Sequence, residues 1–125
     1  MARRTEVRPM GTLAEDIEYV RDRIVRAYRP EKIILFGSTA SDRAGEDSDL
    51  DLLIIKRTRK KYFDRVLQVV RSLKTWRPVD VFVLTPEEYD KRLADNRYFL
   101  VEEILKHGKV IYEHPKAPRG RSRVA

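Results

Sequence analysis

Gly37 and Ser38 close an apolar run that ends in Leu35-Phe36, and after ten residues Asp49 and Asp51 open another, Leu52 to Ile55. A third apolar run, Val79 to Leu84, carries Asp80 at its second position. These residue types suggest one kind of chemistry. Glycine lets phosphate oxygens approach the backbone, and a serine beside it offers a hydroxyl and an amide to the same anion. Side chains two apart in a strand share a face, so Asp49 and Asp51 stand roughly 6–7 Å apart along the chain. Ionised carboxylates in apolar strands are costly unless they are solvated or hold a cation. Hard oxygen donors, with no cysteine and two isolated histidines (His107 and His114), select Mg²⁺ or Mn²⁺ over zinc. Three aspartates beside a Gly-Ser pair are the groups that metal-dependent transfer from a nucleoside triphosphate requires.

To bring these groups together, the end of the first strand must lie beside the start of the second, so those two strands run antiparallel. Asp80 is also near the start of its strand, so the third runs parallel to the second. A parallel pair needs a crossover, and the helix-forming stretch from Tyr62 to Lys74 supplies one.

The remaining elements follow from local signals. Thr12 with Glu15 forms a capping-box pattern, and Leu13, Ile17, Val20, Ile24 and Tyr28 repeat at helical spacing up to Pro30. The first strand spans Lys32 to Phe36, a short helix is expected over 39–43, and the second strand over 49–55. Thr85-Pro86-Glu87-Glu88 opens a helix that runs to about Ala94. Another spans about Tyr98 to Lys106 and ends at Gly108, which is suited to a left-handed terminus. A short strand over 109–112 closes the fold. The expected class is α/β, a small mixed sheet flanked by helices, with one domain over 11–113. The basic cluster from Lys56 to Lys61 follows the second strand, at the end away from the aspartates, and reads as a solvated loop. Lys74 and Arg77, just ahead of Asp80, are better placed to meet phosphate charge.

In this order and on these elements, the motifs resemble the nucleotidyltransferase superfamily that includes polymerase-beta-like enzymes. Over about 32–112, including the closing segment Leu105 to Tyr112, the chain is similar to its minimal nucleotidyltransferase branch. It departs from that branch at Thr39 and Asp42, where members often carry Arg and Gly. The resemblance implies a Mg²⁺-dependent enzyme with Asp49, Asp51 and Asp80 as catalytic metal ligands. Gly37 and Ser38, helped by Lys74 and Arg77, would bind the nucleotide, with ATP favoured. It also implies an acceptor hydroxyl on a small HEPN-type partner, the two acting as antitoxin and toxin. Two other readings stand beside this one: a non-catalytic antitoxin that neutralises its partner as a scaffold, and an RNA-binding or RNA-tailing module.

The chain has 125 residues, no cysteine and a formal charge of +7. Zero cysteines exclude disulfides, thiolate zinc sites and cysteine nucleophiles. With no apolar run of membrane length and no signal-peptide pattern, a cytoplasmic protein is expected. The charge is unevenly placed: residues 1–10 carry +2 and 114–125 carry +4, leaving +1 for the body. Such basic ends read as flexible; they suit solubility or contact with nucleic acid. The closing helix and strand, from Tyr98 to Tyr112, carry Phe99, Leu100, Val101, Ile104, Leu105, Val110 and Ile111. That apolar content either packs inside or meets a partner protein or a second copy.

Overall fold

A computed structural model describes residues 7–40, 45–95 and 99–115. In chain order these form α1 (Leu13–Tyr28), β1 (Lys32–Phe36), a 3-10 turn (Gly37–Ala40), β2 (Leu50–Ile55), α2 (Tyr62–Arg71), β3 (Val79–Leu84), α3 (Pro86–Ala94), α4 (Phe99–His107) and β4 (Lys109–Glu113). The sheet order is β3-β2-β1-β4. β2 runs antiparallel to β1 and parallel to β3, as the placement of the aspartates requires. β4 pairs antiparallel with the other edge of β1, with a register shift between Ile33 and Ile34.

β1 and β2 are apolar almost throughout because both faces of the sheet are covered. One face packs Ile33, Leu35, Leu50, Leu52 and Ile54 against Val20, Ile24 and Tyr28 of α1 and Val69 of α2. The other packs Ile34, Phe36, Leu53, Ile55 and Leu84 against Tyr89 of α3 and Ile104 of α4. By alternation along β2, Asp51 belongs to the second face with Leu53 and Ile55.

Both capping boxes form. Thr12 Oγ1 accepts from Glu15 N at 3.1 Å while Glu15 Oε1 accepts from Thr12 N at 2.9 Å. Thr85 and Glu88 repeat the pattern at 3.1 and 2.9 Å. At the other end of α1, the Lys56 ammonium donates to the carbonyls of Tyr28 (2.7 Å) and Arg29 (3.3 Å), where a cation suits the helix dipole. The cluster lies at the strand end away from the aspartates, as expected, but its first member, Lys56, is docked on the end of α1 rather than solvated. Nearby, the buried Arg65 bridges α2 to α3, donating to Glu88 Oε1 at 2.7 Å, Lys60 O at 2.8 Å and Val83 O at 3.3 Å.

Several boundaries differ from the sequence reading, each for a local reason. α2 stops at Arg71, three residues short of Lys74, because the Ser72 hydroxyl and amide both turn back onto Val69 O, at 2.6 and 2.9 Å. The turn after Phe36 is a 3-10 turn over 37–40; the rest of the helix expected there, with Asp42, lies outside the described residues. The basic start of the chain is docked from residue 7 onward. Arg8 pairs in parallel with Thr75, its amide donating to Lys74 O at 2.7 Å and its carbonyl accepting from Trp76 N at 3.0 Å. Its guanidinium also lies 4.7 Å from the Tyr19 ring centroid. Of the residues outside the described set, 116–125 include the rest of the basic C-terminal stretch.

Gly108 is a further correction. It does not adopt the left-handed conformation expected of it; among the described residues only Arg29 and Gly37 have positive φ. Glycine stands there because a Cβ would lie 2.5 Å from Ile104 O, a backbone atom that cannot swing aside. Gly108→Ala is therefore expected to destabilise the fold by about 1–3 kcal/mol. An unstrained glycine replaced by alanine would instead gain about 0.4–1 kcal/mol. The sign of the change in urea unfolding decides between the two. Of the apolar side chains in the closing elements, Ile104 is buried and Leu105 is 50% exposed. Val110 and Ile111 pack partly against the two cores, so the apolar content is mostly used internally where it is described.

Candidate active site

Three strand ends converge where the candidate residues sit. In the register, Phe36 opposes Asp51, and Asp51 lies beside Asp80 on the parallel neighbour. The two carboxylates therefore occupy adjacent positions on the face that carries α3 and α4. Below them Phe36 and Phe82 pack with ring centroids 5.8 Å apart, giving the pair an apolar floor. Gly37 follows Phe36 with φ +74°, a left-handed turn that glycine adopts without strain. Its missing side chain matters twice, since a Cβ here would collide with Asp51 Oδ2 and lie 3.1 Å from Asp51 Cγ. The backbone at Gly37 and the Asp51 carboxylate are packed against each other. Ser38 is exposed next to it in the turn.

Electrostatics mark the same spot. Partial burial pushes the Asp51 carboxyl up to about 6, helped by the charge of Asp80, a hydrogen bond with its side chain, and the charges of Asp49 and Glu103. Asp51 thus lies at the centre of a negative field supplied by three other acids. Asp49 stands exposed, one residue outside β2, within electrostatic reach of Asp51. Among the described residues, no three acidic or histidine side chains are already gathered at metal-ligand distances. What is assembled is the Asp51–Asp80 pair, with Asp49 adjoining it and the open side of Gly37 against it. This all-oxygen donor set suits a hard divalent cation, whose charge would relieve the repulsion at Asp51.

Glu103 was not singled out by sequence reasoning. Its helix lies some fifty residues from Asp51 in the chain, and no short-range pattern connects them. The backbone carbonyl of Lys74 accepts from Arg8 N at 2.7 Å and from the Tyr19 hydroxyl at 3.4 Å. Arg77 is placed differently from the phosphate role given to it. The Arg77 guanidinium is buried, donating to Asp16 Oδ2 (2.7 Å), Ser48 O (2.7 Å) and Gly11 O (3.1 Å). One signal could have located its partner. Asp16 falls on the stripe Asp16, Val20, Ile24 that faces the core, and a carboxylate there demands a cation.

Gly37→Ala tests the packing at the turn. The substitution strains a left-handed residue and displaces Asp51, and misplacement of a reacting group by about 1 Å can cost about 10²-fold in rate. Any reaction that depends on the placement of Asp51 is expected to slow by about that factor, measured as initial velocity on protein shown folded by circular dichroism.

Comparison with known proteins agrees with this fold. The family profile described as "Polymerase beta, Nucleotidyltransferase" matches residues 20–117. A candidate nucleotidyltransferase from Sulfolobus solfataricus, known from a crystal structure, superposes with a TM-score of 0.58 at 21% identity, covering 82% of each chain. Two toxin–antitoxin crystal structures are more distant, at 18% identity over 82% of this chain and 73% of theirs. One is a mutant of MntA–HpeT with a TM-score of 0.46, and the other, with AMP-PNP, has a TM-score of 0.43. A search of the curated proteins finds no match. No helix among the described residues is long and apolar enough to cross a membrane. With a profile match across most of its length, and a mixed sheet that sets the carboxylates beside the Gly-Ser turn, the chain belongs to the polymerase beta nucleotidyltransferase family.

Proposed function

We propose that this protein transfers a nucleoside monophosphate from a nucleoside triphosphate, with ATP favoured, to a hydroxyl group on a partner protein. The acceptor oxygen bonds to the α-phosphorus, the α–β bridging P–O bond breaks, and pyrophosphate leaves. The observation that carries this reading is the Asp51 carboxylate pressed against Gly37 and in register with Asp80. Mg²⁺ or Mn²⁺ held by Asp49, Asp51 and Asp80 would supply Lewis-acid activation and neutralise the phosphate charge. The chain's own groups do the rest. The backbone of Gly37 and Ser38 receives the β- and γ-phosphates, and Asp51 fixes the cation side of the site. Asp80, more exposed than Asp51, is open to the acceptor and takes its proton. Arg77, committed to Asp16, Ser48 and Gly11, has no phosphate role in this reading.

The acceptor follows from the family resemblance: a side chain of a HEPN-type toxin, so that modification by this chain acts as an antitoxin. Its support in the structure is access, since Asp80 is exposed and Phe82 is 37% exposed on the same face. A macromolecular hydroxyl can reach that edge. ATP labelled at the α-phosphate, incubated with Mg²⁺, this protein and the product of its neighbouring gene, tests the reading. Label should appear on the partner protein, and ATP labelled at the γ-phosphate should leave it unlabelled. Label on RNA would point to tailing. A tight complex with no label on either would replace transfer with the scaffold reading.

A further inference from the structure

We propose that Arg77, anchored by Asp16, is a positioning residue that fixes Asp49 for cation binding; the proposal rests on the metal-site reading above. Asp49 needs such a device more than its two partners do. Asp51 and Asp80 lie within paired strands, whereas Asp49 precedes β2 and its side chain is exposed. Its orientation depends on the two peptide groups that flank it. On one side, the Ser48 carbonyl accepts from Arg77 Nη1 at 2.7 Å. On the other, Leu50 N donates to Pro78 O at 3.0 Å, and Pro78 is the residue after Arg77. Both flanks of Asp49 are thus tied to the segment that enters β3, and Asp80 follows three residues after Arg77.

The anchor itself is buried. The Arg77 and Asp16 side chains are both 0% exposed, and Nε meets Asp16 Oδ2 at 2.7 Å. The third arm of the guanidinium donates to Gly11 O at 3.1 Å, and Gly11 N donates to both oxygens of Asp16, at 3.1 and 3.2 Å. The loop before Asp49 has a second tie to the same region, because Leu13 N donates to Glu46 Oε1 at 2.9 Å. A planar fork with donors in three directions can hold Asp16, Gly11 and Ser48 at once. A lysine cannot.

A purely structural ion pair would also lower stability when altered, so stability alone does not test the proposal. Arg65 is the matched control: a second buried arginine bridging elements, but at the opposite end of the sheet and touching none of the three aspartates' flanks. Mn²⁺ binding to the full chain, followed by electron paramagnetic resonance without nucleotide, provides a readout independent of turnover. Arg77→Lys is expected to weaken Mn²⁺ binding by about 10–100-fold, the range for partners that orient metal ligands. Arg65→Lys should leave it within about twofold at a comparable loss of Tm. Asp16→Asn keeps the guanidinium but loosens its anchor, and should weaken binding in the same direction by a smaller factor. A variant-free measurement covers the case in which these chains fold poorly. In the native protein, Mg²⁺ titration should move the Arg77 Nε–H resonance and the Asp49 amide with one midpoint, leaving Arg65 Nε–H still. Wild-type Mn²⁺ affinity in folded Arg77→Lys, or an Arg77 resonance that ignores Mg²⁺ while the Asp49 amide moves, overturns the proposal. A native chain that binds neither cation overturns it together with the metal-site reading, whereas normal cation binding without nucleotidyl transfer removes the transfer reading alone.

Discussion

Replacing Asp51 with asparagine is expected to lower nucleotidyl transfer by about 10³-fold or more, the scale seen when a transition-state charge partner is removed from a preorganised site. The amide keeps the size of the carboxylate and its fit against Gly37, but cannot contribute a negative charge to a cation. The same substitution should not harm the fold. Asp51 in the folded chain has its carboxyl raised to about 6 by burial and by Asp80, Asp49 and Glu103, so its ionised form is disfavoured there. A raised acid costs nothing below its unfolded value, near 4. The penalty grows as pH rises and is complete above about 6. Without Mg²⁺ the variant should therefore melt with the wild type near pH 4 and at or above it near pH 7.5. Adding Mg²⁺ should raise the wild-type Tm and leave the variant's nearly unchanged. Transfer at the wild-type rate would remove Asp51 from the mechanism.

Such a charge arrangement explains why the meeting of Asp51 and Asp80 could be read from the chain. Acids are depleted in strands, so Asp51 and Asp80 inside apolar runs called for a shared cation. Requiring them to meet dictated the strand directions that the sheet adopts. Local chemistry settled other elements equally well: the Thr12 and Thr85 capping boxes marked the starts of α1 and α3 because each closes within four residues. What could not be read depends on contacts far apart in sequence. Arg77 looked like a phosphate ligand because it is cationic and close to Asp80, but Asp16, sixty-one residues away, claims its guanidinium. Gly108 reflects a close approach to Ile104 O rather than a backbone angle, and glycine itself does not reveal which of the two it serves. Arg8 belonged by composition to a charged end, and its pairing with Thr75 and its contacts with Tyr19 and Asp16 show that it is part of the folded body.

Asp16→Ala is expected to cost about 3–5 kcal/mol, the usual consequence of removing one partner from a buried ion pair. A chain of this kind has about 5–15 kcal/mol in total, so the variant should be marginal in urea unfolding at room temperature. The loss does not measure attraction alone, because it leaves Arg77 buried without a counter-charge and Gly11 N without an acceptor. Replacing both partners, with Asp16→Leu and Arg77→Met together, should therefore be less damaging than Asp16→Ala alone, although Ser48 O and Gly11 O still lose their donor. The pH dependence has a definite sign. Burial works to raise the Asp16 carboxyl, but Arg77, Arg8 and the Gly11 amide outweigh it and hold the group below the usual carboxylate range. A depressed acid contributes stability that is fully present above its unfolded value, near 4, and is lost as pH falls through the lower folded value. The gap between wild type and Asp16→Asn should thus be constant from pH 5 to 7 and shrink below pH 4, as Asp16 gains a proton and the wild type loses its advantage. A gap that widens in acid would mean that burial, not the two arginines, dominates at Asp16.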